Sequence, residues 1–97
     1  MMPVRPKKGP MLLDEAHTIG LQALGFLAED EARIGRFMAL TGLSAEDLQA
    51  RATSSDVLQA VLEHLLENES LLLVFAAQSG IKPDEIQPAW HVLSGAQ

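Results

Sequence analysis

Shifted by 38 residues against itself, the chain aligns without a gap over positions 24–49 and 62–87, with eight identities in twenty-six positions. The identities are Leu24 with Leu62, Leu27 with Leu65, Glu29 with Glu67, Glu31 with Glu69, Phe37 with Phe75, Ala39 with Ala77, Gly42 with Gly80 and Gln49 with Gln87. Conservative pairs fill much of the rest: Asp30 meets Asn68, Thr41 meets Ser79, Leu43 meets Ile81, and the acidic pair Glu46–Asp47 meets Asp84–Glu85. Two amphipathic helices of similar composition would align leucines by chance. They would not also align both cap residues, both glycines and both acidic pairs. Self-similarity at a fixed period is the signature of repeated supersecondary units, so the chain reads as two copies of one three-helix unit.

The shared residues describe a tight corner between two helices. In "TGLSAEDLQA", residues 41–50, and "SGIKPDEIQP", residues 79–88, Gly42 and Gly80 supply the left-handed residue that ends a helix, and Leu43 and Ile81 follow as the apolar contact of such a stop. Ser44 can cap the next helix, while Pro83 suits a first helical position, where its missing N–H costs nothing. The acidic pairs then lie beside the positive end of the new helix dipole. Gln49 and Gln87 have no structural role in this pattern, and a buried side-chain hydrogen bond across the corner is expected of them.

Periodicity places the other helices. The first carries Asp14 and Glu15 in its opening turn, an apolar stripe of Leu13, Ala16, Gly20, Leu24 and Leu27, and a second stripe of Ile19, Ala23 and Phe26. Asp30 caps a second helix with core positions Ile34, Phe37, Met38 and Thr41, and with Arg33 and Arg36 turned away. A short third helix follows Ser44. A fourth follows Ser54 or Ser55, with Leu58, Val61, Leu62 and Leu65 inward. A fifth runs from Asn68 to Gly80. The sixth begins at Pro83, and Pro88 is expected to kink or restart it. No segment shows strand alternation. In the fifth helix the places of Arg33, Gly35 and Arg36 hold Leu71, Leu73 and Val74, so its outer face is apolar. Such a helix is either the centre of the bundle or presents the Leu71 and Val74 face to another chain.

Composition removes several function classes. Ninety-seven residues without cysteine allow one core and no disulfide, thiolate metal site or cysteine nucleophile. The longest apolar run, "LLLVFAA" at residues 71–77, is far short of the roughly 20 residues that span a bilayer. The opening "MMPVRPKKGP" lacks the continuous apolar core of a secretion signal, so a cytoplasmic protein is expected. Residues 1–10, with Arg5, Lys7 and Lys8, are expected to be a flexible basic tail ahead of a single helical domain over 11–97. That domain sets all thirteen acids against Arg33, Arg36, Arg51 and Lys82. An acidic body repels phosphate backbones. The "TGLSAEDLQAR" stretch is therefore a poor helix-turn-helix: Glu46 and Asp47 would head its reading helix, and Arg51 is the only basic residue on it.

No catalytic constellation emerges. His17, His64 and His91 are far apart, and His64 with Glu67 reverses the order of a di-iron pair and has no second copy. In the repeat His64 stands where the first copy has Phe26, which favours a half-buried packing role over a ligand. "GLQALG", residues 20–25, lacks the length and the lysine of a phosphate loop, and small residues at a helix contact explain it better. No cofactor, metal or catalytic residue is expected.

The run "GLQALGFLAEDEARIGRFMALTGLSAEDLQARA" through "VLEHLLENESLLLVFAAQSGIKPDEI" resembles the bacterial family catalogued as domain of unknown function 3572, over about residues 16–93. "LQALGFLAED", "RFMALTGL" and "LLVFAAQSGI" are the most specific pieces. The resemblance implies a short all-helical bacterial protein, and the family name assigns no activity from which site residues could be carried over. The expectation is thus an all-α, compact six-helix bundle of two pseudo-equivalent three-helix halves. Its function is expected to lie in protein contacts or assembly, with an unidentified protein or a second copy as partner, no membrane, and a nucleic-acid-binding regulator as the alternative. Leu71, Val74, Arg33 and Arg36 are the candidate partner-facing residues, and Gly42, Leu43, Ser44, Gly80, Ile81 and Pro83 the structural corners.

Overall fold

A computed structural model describes residues 11–95 of the chain, and the basic tail with Arg5, Lys7 and Lys8 lies outside the described residues. The described residues form six α-helices and no strand: α1 Leu13–Ala28, α2 Glu31–Thr41, α3 Ala45–Ala50, α4 Ser55–Leu66, α5 Glu69–Ser79 and α6 Ile86–Leu93, the last entered through a 3₁₀ turn, Pro83–Glu85. Local chemistry sets each boundary. The Asp30 carboxylate accepts from the N–H groups of Ala32 and Arg33, Ser44 Oγ from Asp47, Ser54 Oγ from Val57, and Asn68 Oδ1 from Leu71. These bonds satisfy N–H groups that have no partner inside a helix.

The centre of the molecule is α1 and α4. His17 Nε2 lies 3.3 Å from Ser55 Oγ, and one turn on a Cβ built on Gly20 would stand 2.9 Å from Leu58 Cβ. Both contacts advance in the same direction along the two helices, so α1 and α4 run parallel, and the missing side chain at Gly20 permits their close approach. α6 lies across both, burying Ile86, Ala89 and Leu93. Around this trio α2 and α5 are peripheral, each with one inner face: Phe37 is the buried residue of α2, and Leu72 and Phe75 those of α5. Short α3 buries Leu48 alone.

Several expectations need correcting. Leu13 is 54% exposed rather than part of the core stripe. Residue 55, where α4 begins, is level with His17, so a residue one turn before His17 lies beyond the start of α4. Thr41 is exposed as well, and its hydroxyl serves the corner. The fifth helix is not the centre of the bundle, since Leu73 and Val74 on it face solvent. The last helix restarts as expected of Pro88: residues 83–85 form a 3₁₀ turn and the α-helix begins at Ile86, because Pro88 has no N–H to give the Asp84 carbonyl its α-helical bond. Gln49 and Gln87 are both exposed. The buried places beside them belong to Leu48 and Ile86, and the next residue on a helix is turned about 100° away.

Candidate functional site

The two helix corners share the same stop and the same hydroxyl bonds. Gly42 and Gly80 have φ of 80° and 79°, and their N–H groups donate to the carbonyls of Met38 and Ala76. Thr41 Oγ1 donates to the Phe37 carbonyl at 2.8 Å and accepts from Leu43 N–H at 3.2 Å; Ser79 Oγ donates to the Phe75 carbonyl at 2.8 Å and accepts from Ile81 N–H at 3.1 Å. Each hydroxyl thus ties the last turn of one helix to the connection that leaves it. The sequence carried this signal as the Thr41/Ser79 pair, which a purely apolar reading of the stripe passes over. Beyond the glycines, Asp47 accepts from Ser44 N–H and Glu85 from Lys82 N–H. The Ser44 backbone N–H, then its hydroxyl, hold the Asp47 carboxyl below the usual aspartate range, with desolvation opposing them. Leu43 and Ile81 are half-buried against the core, Ser44 caps α3, and Pro83 opens the 3₁₀ turn.

A helix-turn-helix function finds the wrong chemistry here. α3 has six residues, its first turn presents the exposed Glu46 and an Asp47 that stays ionised, and Arg51 is drawn 3.6 Å from Asp56. Carboxylates at that end oppose a phosphate backbone.

Aromatic contacts join the peripheral helices to the central pair. Phe26 of α1 meets Phe75 of α5 with ring centroids 5.3 Å apart, and His64 of α4 meets Phe37 of α2 edge-on at 5.4 Å. Arg33, expected to face away, instead lies over Phe26 at 4.1 Å and donates to the Phe26 carbonyl. Arg36 is exposed. His64 is buried rather than half-buried, only 7% exposed, and its Nε2 has no hydrogen-bond partner. Desolvation first, and the Arg36 charge second, hold its pKa below the ordinary histidine value, with Glu67 opposing.

Two surface features could meet a ligand or partner. One is an open groove of about 370 Å³ against α1, whose polar lining is dominated by Asp14, Glu15 and Glu85. Two of those carboxylates already serve helix starts, Glu15 accepting from Leu12 N–H and Glu85 from Lys82 N–H. Among the described residues no group of three or more His, Asp or Glu side chains is placed to hold a metal ion. The other feature is the outer face of α5, where Leu73 is 49% and Val74 42% exposed, with Leu66 at the end of α4 also exposed. Leu71, paired with Val74 on sequence grounds, is half-buried against the core. On α5 the exposed apolar pair is therefore Leu73 and Val74, while Leu12 and Leu13 at the start of α1 and Leu40 near the end of α2 are exposed apolar residues elsewhere. No helix among the described residues is long and apolar enough to cross a membrane.

A family model described as "Protein of unknown function (DUF3572)" matches residues 13–96, nearly the whole chain, and the chain belongs to that family. No curated protein and no solved structure matches it.

Proposed function

We propose that this family member is a bacterial, cytoplasmic assembly module without catalysis, which pairs with a second copy of itself through the outer face of α5. The observation that carries the reading is the exposure of Leu73 and Val74 side by side on one helix. Between Glu69 and Ser79 that helix holds no charged side chain. An uncharged apolar strip on a peripheral helix suits a symmetric dimer, in which one patch covers itself about a two-fold axis. Val74 and the outer edge of Leu71 lie within the contact. Arg33 and Arg36 hold the corresponding places on α2, Arg33 already engaged by Phe26 and Arg36 free to reach a partner's acids.

Light scattering on the native protein, and on a Leu73→Glu, Val74→Glu double variant, tests this. A native dimer and a folded, monomeric variant are expected. A native protein that stays monomeric at high concentration overturns the reading.

The same proposal takes the fold as two pseudo-equivalent three-helix halves. In support, the ends of α1 and α4, the starts and ends of α2 and α5, and both glycine corners are offset by 38 residues. The contacts follow the same rule. Adding 38 to Phe26 and subtracting 38 from Phe75 turns that pair into His64 and Phe37, while His17·Ser55 and Gly20·Leu58 each turn into themselves. Pairs that map onto themselves lie on a two-fold axis, which would run between the parallel α1 and α4. The halves differ in their last helix, since α6 covers the central pair and α3 does not.

A further inference from the structure

His64 is the one place where the two aromatic contacts differ in chemistry. Where α5 meets α1 through two phenylalanines, α2 meets α4 through Phe37 and an imidazole. Phe37 is the one fully buried residue of α2, with Ile34 and Met38 only partly buried beside it, so the docking of α2 rests chiefly on Phe37. α5 has Leu72 as well as Phe75 and depends less on its ring. The buried Nε2 of the imidazole has no partner to receive a second proton's bond. A neutral ring needs only one N–H donor, but a protonated ring has two, and Nε2 is enclosed with no acceptor in reach. The Phe37 ring offers none. An unpaired buried donor on a charged ring is strongly disfavoured, and opening the contact to water removes that penalty.

We propose that His64 is a proton-sensitive latch: uptake of one proton by its imidazole loosens α2 from α4 and exposes Phe37, while the matching contact of α5 on α1 stays shut. Two charged groups act on the ring. Arg36 from α2 opposes the proton, as desolvation does more strongly, and Glu67 at the end of its own helix favours it. The other histidines stand apart, His17 beside Ser55 and His91 exposed on α6. The direction follows by linkage. The open state binds the proton at an ordinary histidine value near 6.5, and the closed state binds it only at lower pH. The latch is therefore shut above that value and loosens as pH falls below it.

Hydrogen exchange of the native chain between pH 7.5 and 5.5, corrected for intrinsic exchange rates, reads this helix by helix. Amides of α2 should lose protection by up to about tenfold, the limit set by one ordinary histidine in the open state. Amides of α5 should not. His64→Phe, the residue found at the corresponding place in the first half, should abolish the loss while keeping His17 and His91. Equal loss in α2 and α5, or an undiminished loss in His64→Phe, overturns the proposal. NMR titration of the His64 ring in the native chain decides the matter even where the variant fails to fold. A midpoint at or above the ordinary histidine value overturns the latch, and a depressed midpoint that coincides with the α2 opening sustains it.

Discussion

At Gly42 and Gly80 a Cβ would meet nothing within 4 Å, yet both backbones stand in the left-handed region. Alanine there is strained by conformation alone, and each substitution should cost about 1–2 kcal/mol. Gly20 presents the opposite case, an ordinary helical backbone with Leu58 in the way. Alanine at Gly20 forces the α1–α4 contact apart and should cost about 1–3 kcal/mol, the range for overpacking a core. Gly25 has neither problem, being helical with open space around it, so Gly25→Ala should gain about 0.4–1 kcal/mol by restricting the unfolded chain. Urea denaturation of the four variants measures all of this, and a common effect at all sites would refute the distinction. Asp47 offers a test without a stability measurement. Ser44→Ala removes the hydroxyl that accepts from Asp47 N–H and helps hold its carboxyl low, so the Asp47 titration should move up toward the ordinary range in carboxyl NMR.

At the scale of the helix, caps and stops were legible in the sequence because they depend on residues a few positions apart. Asp30, Ser44, Ser54 and Asn68 start helices by bonds that span two or three residues, and Gly42 and Gly80 end them by bonds that span four. What each helix faces is a tertiary fact. Leu13 fits the apolar period but stands outside the reach of α4, and Arg33 looked like a solvent residue but lies on Phe26. The apolar surface of α5 was readable from Leu71, Leu73 and Val74, yet which of them faces water was not, because that depends on the approach of α1 and α4 to its inner side. α6 concentrates the consequence. It is short, but Ile86, Ala89 and Leu93 close the core over both central helices. Ile86→Ala should therefore cost about 2–5 kcal/mol. Trp90, half-buried against the same core, should fluoresce to the blue of a solvated indole in the native protein and shift red on unfolding.

For the whole molecule, the question is whether either proposed half could stand alone. The aromatic contacts cross between the halves: Phe26 is covered by Phe75, Phe37 by His64, and α6 lies on α1 as well as α4. Residues 11–52 by themselves would leave Phe26, Leu27 and Phe37 without their partners, and residues 53–97 would do the same to Leu58, Val61 and Phe75. Chains of that length seldom bury enough surface to fold without such partners, since even a domain of about 60 residues is marginal and these fragments lie close to the limit of about 40. Each fragment is therefore expected to be largely unstructured in circular dichroism. An equimolar mixture should recover helical signal, with a midpoint that rises with concentration because folding has become association. The cut between Ala52 and Thr53 preserves the Ser54 cap of α4, so a failure to reassemble could not be attributed to a lost helix start. A single fragment that folds as a monomer would overturn the reading that the two halves complete one core between them. Reassembly of the mixture, with neither fragment folded alone, would support a fold that joins in one chain what two copies of a short unit would otherwise have to build as a pair.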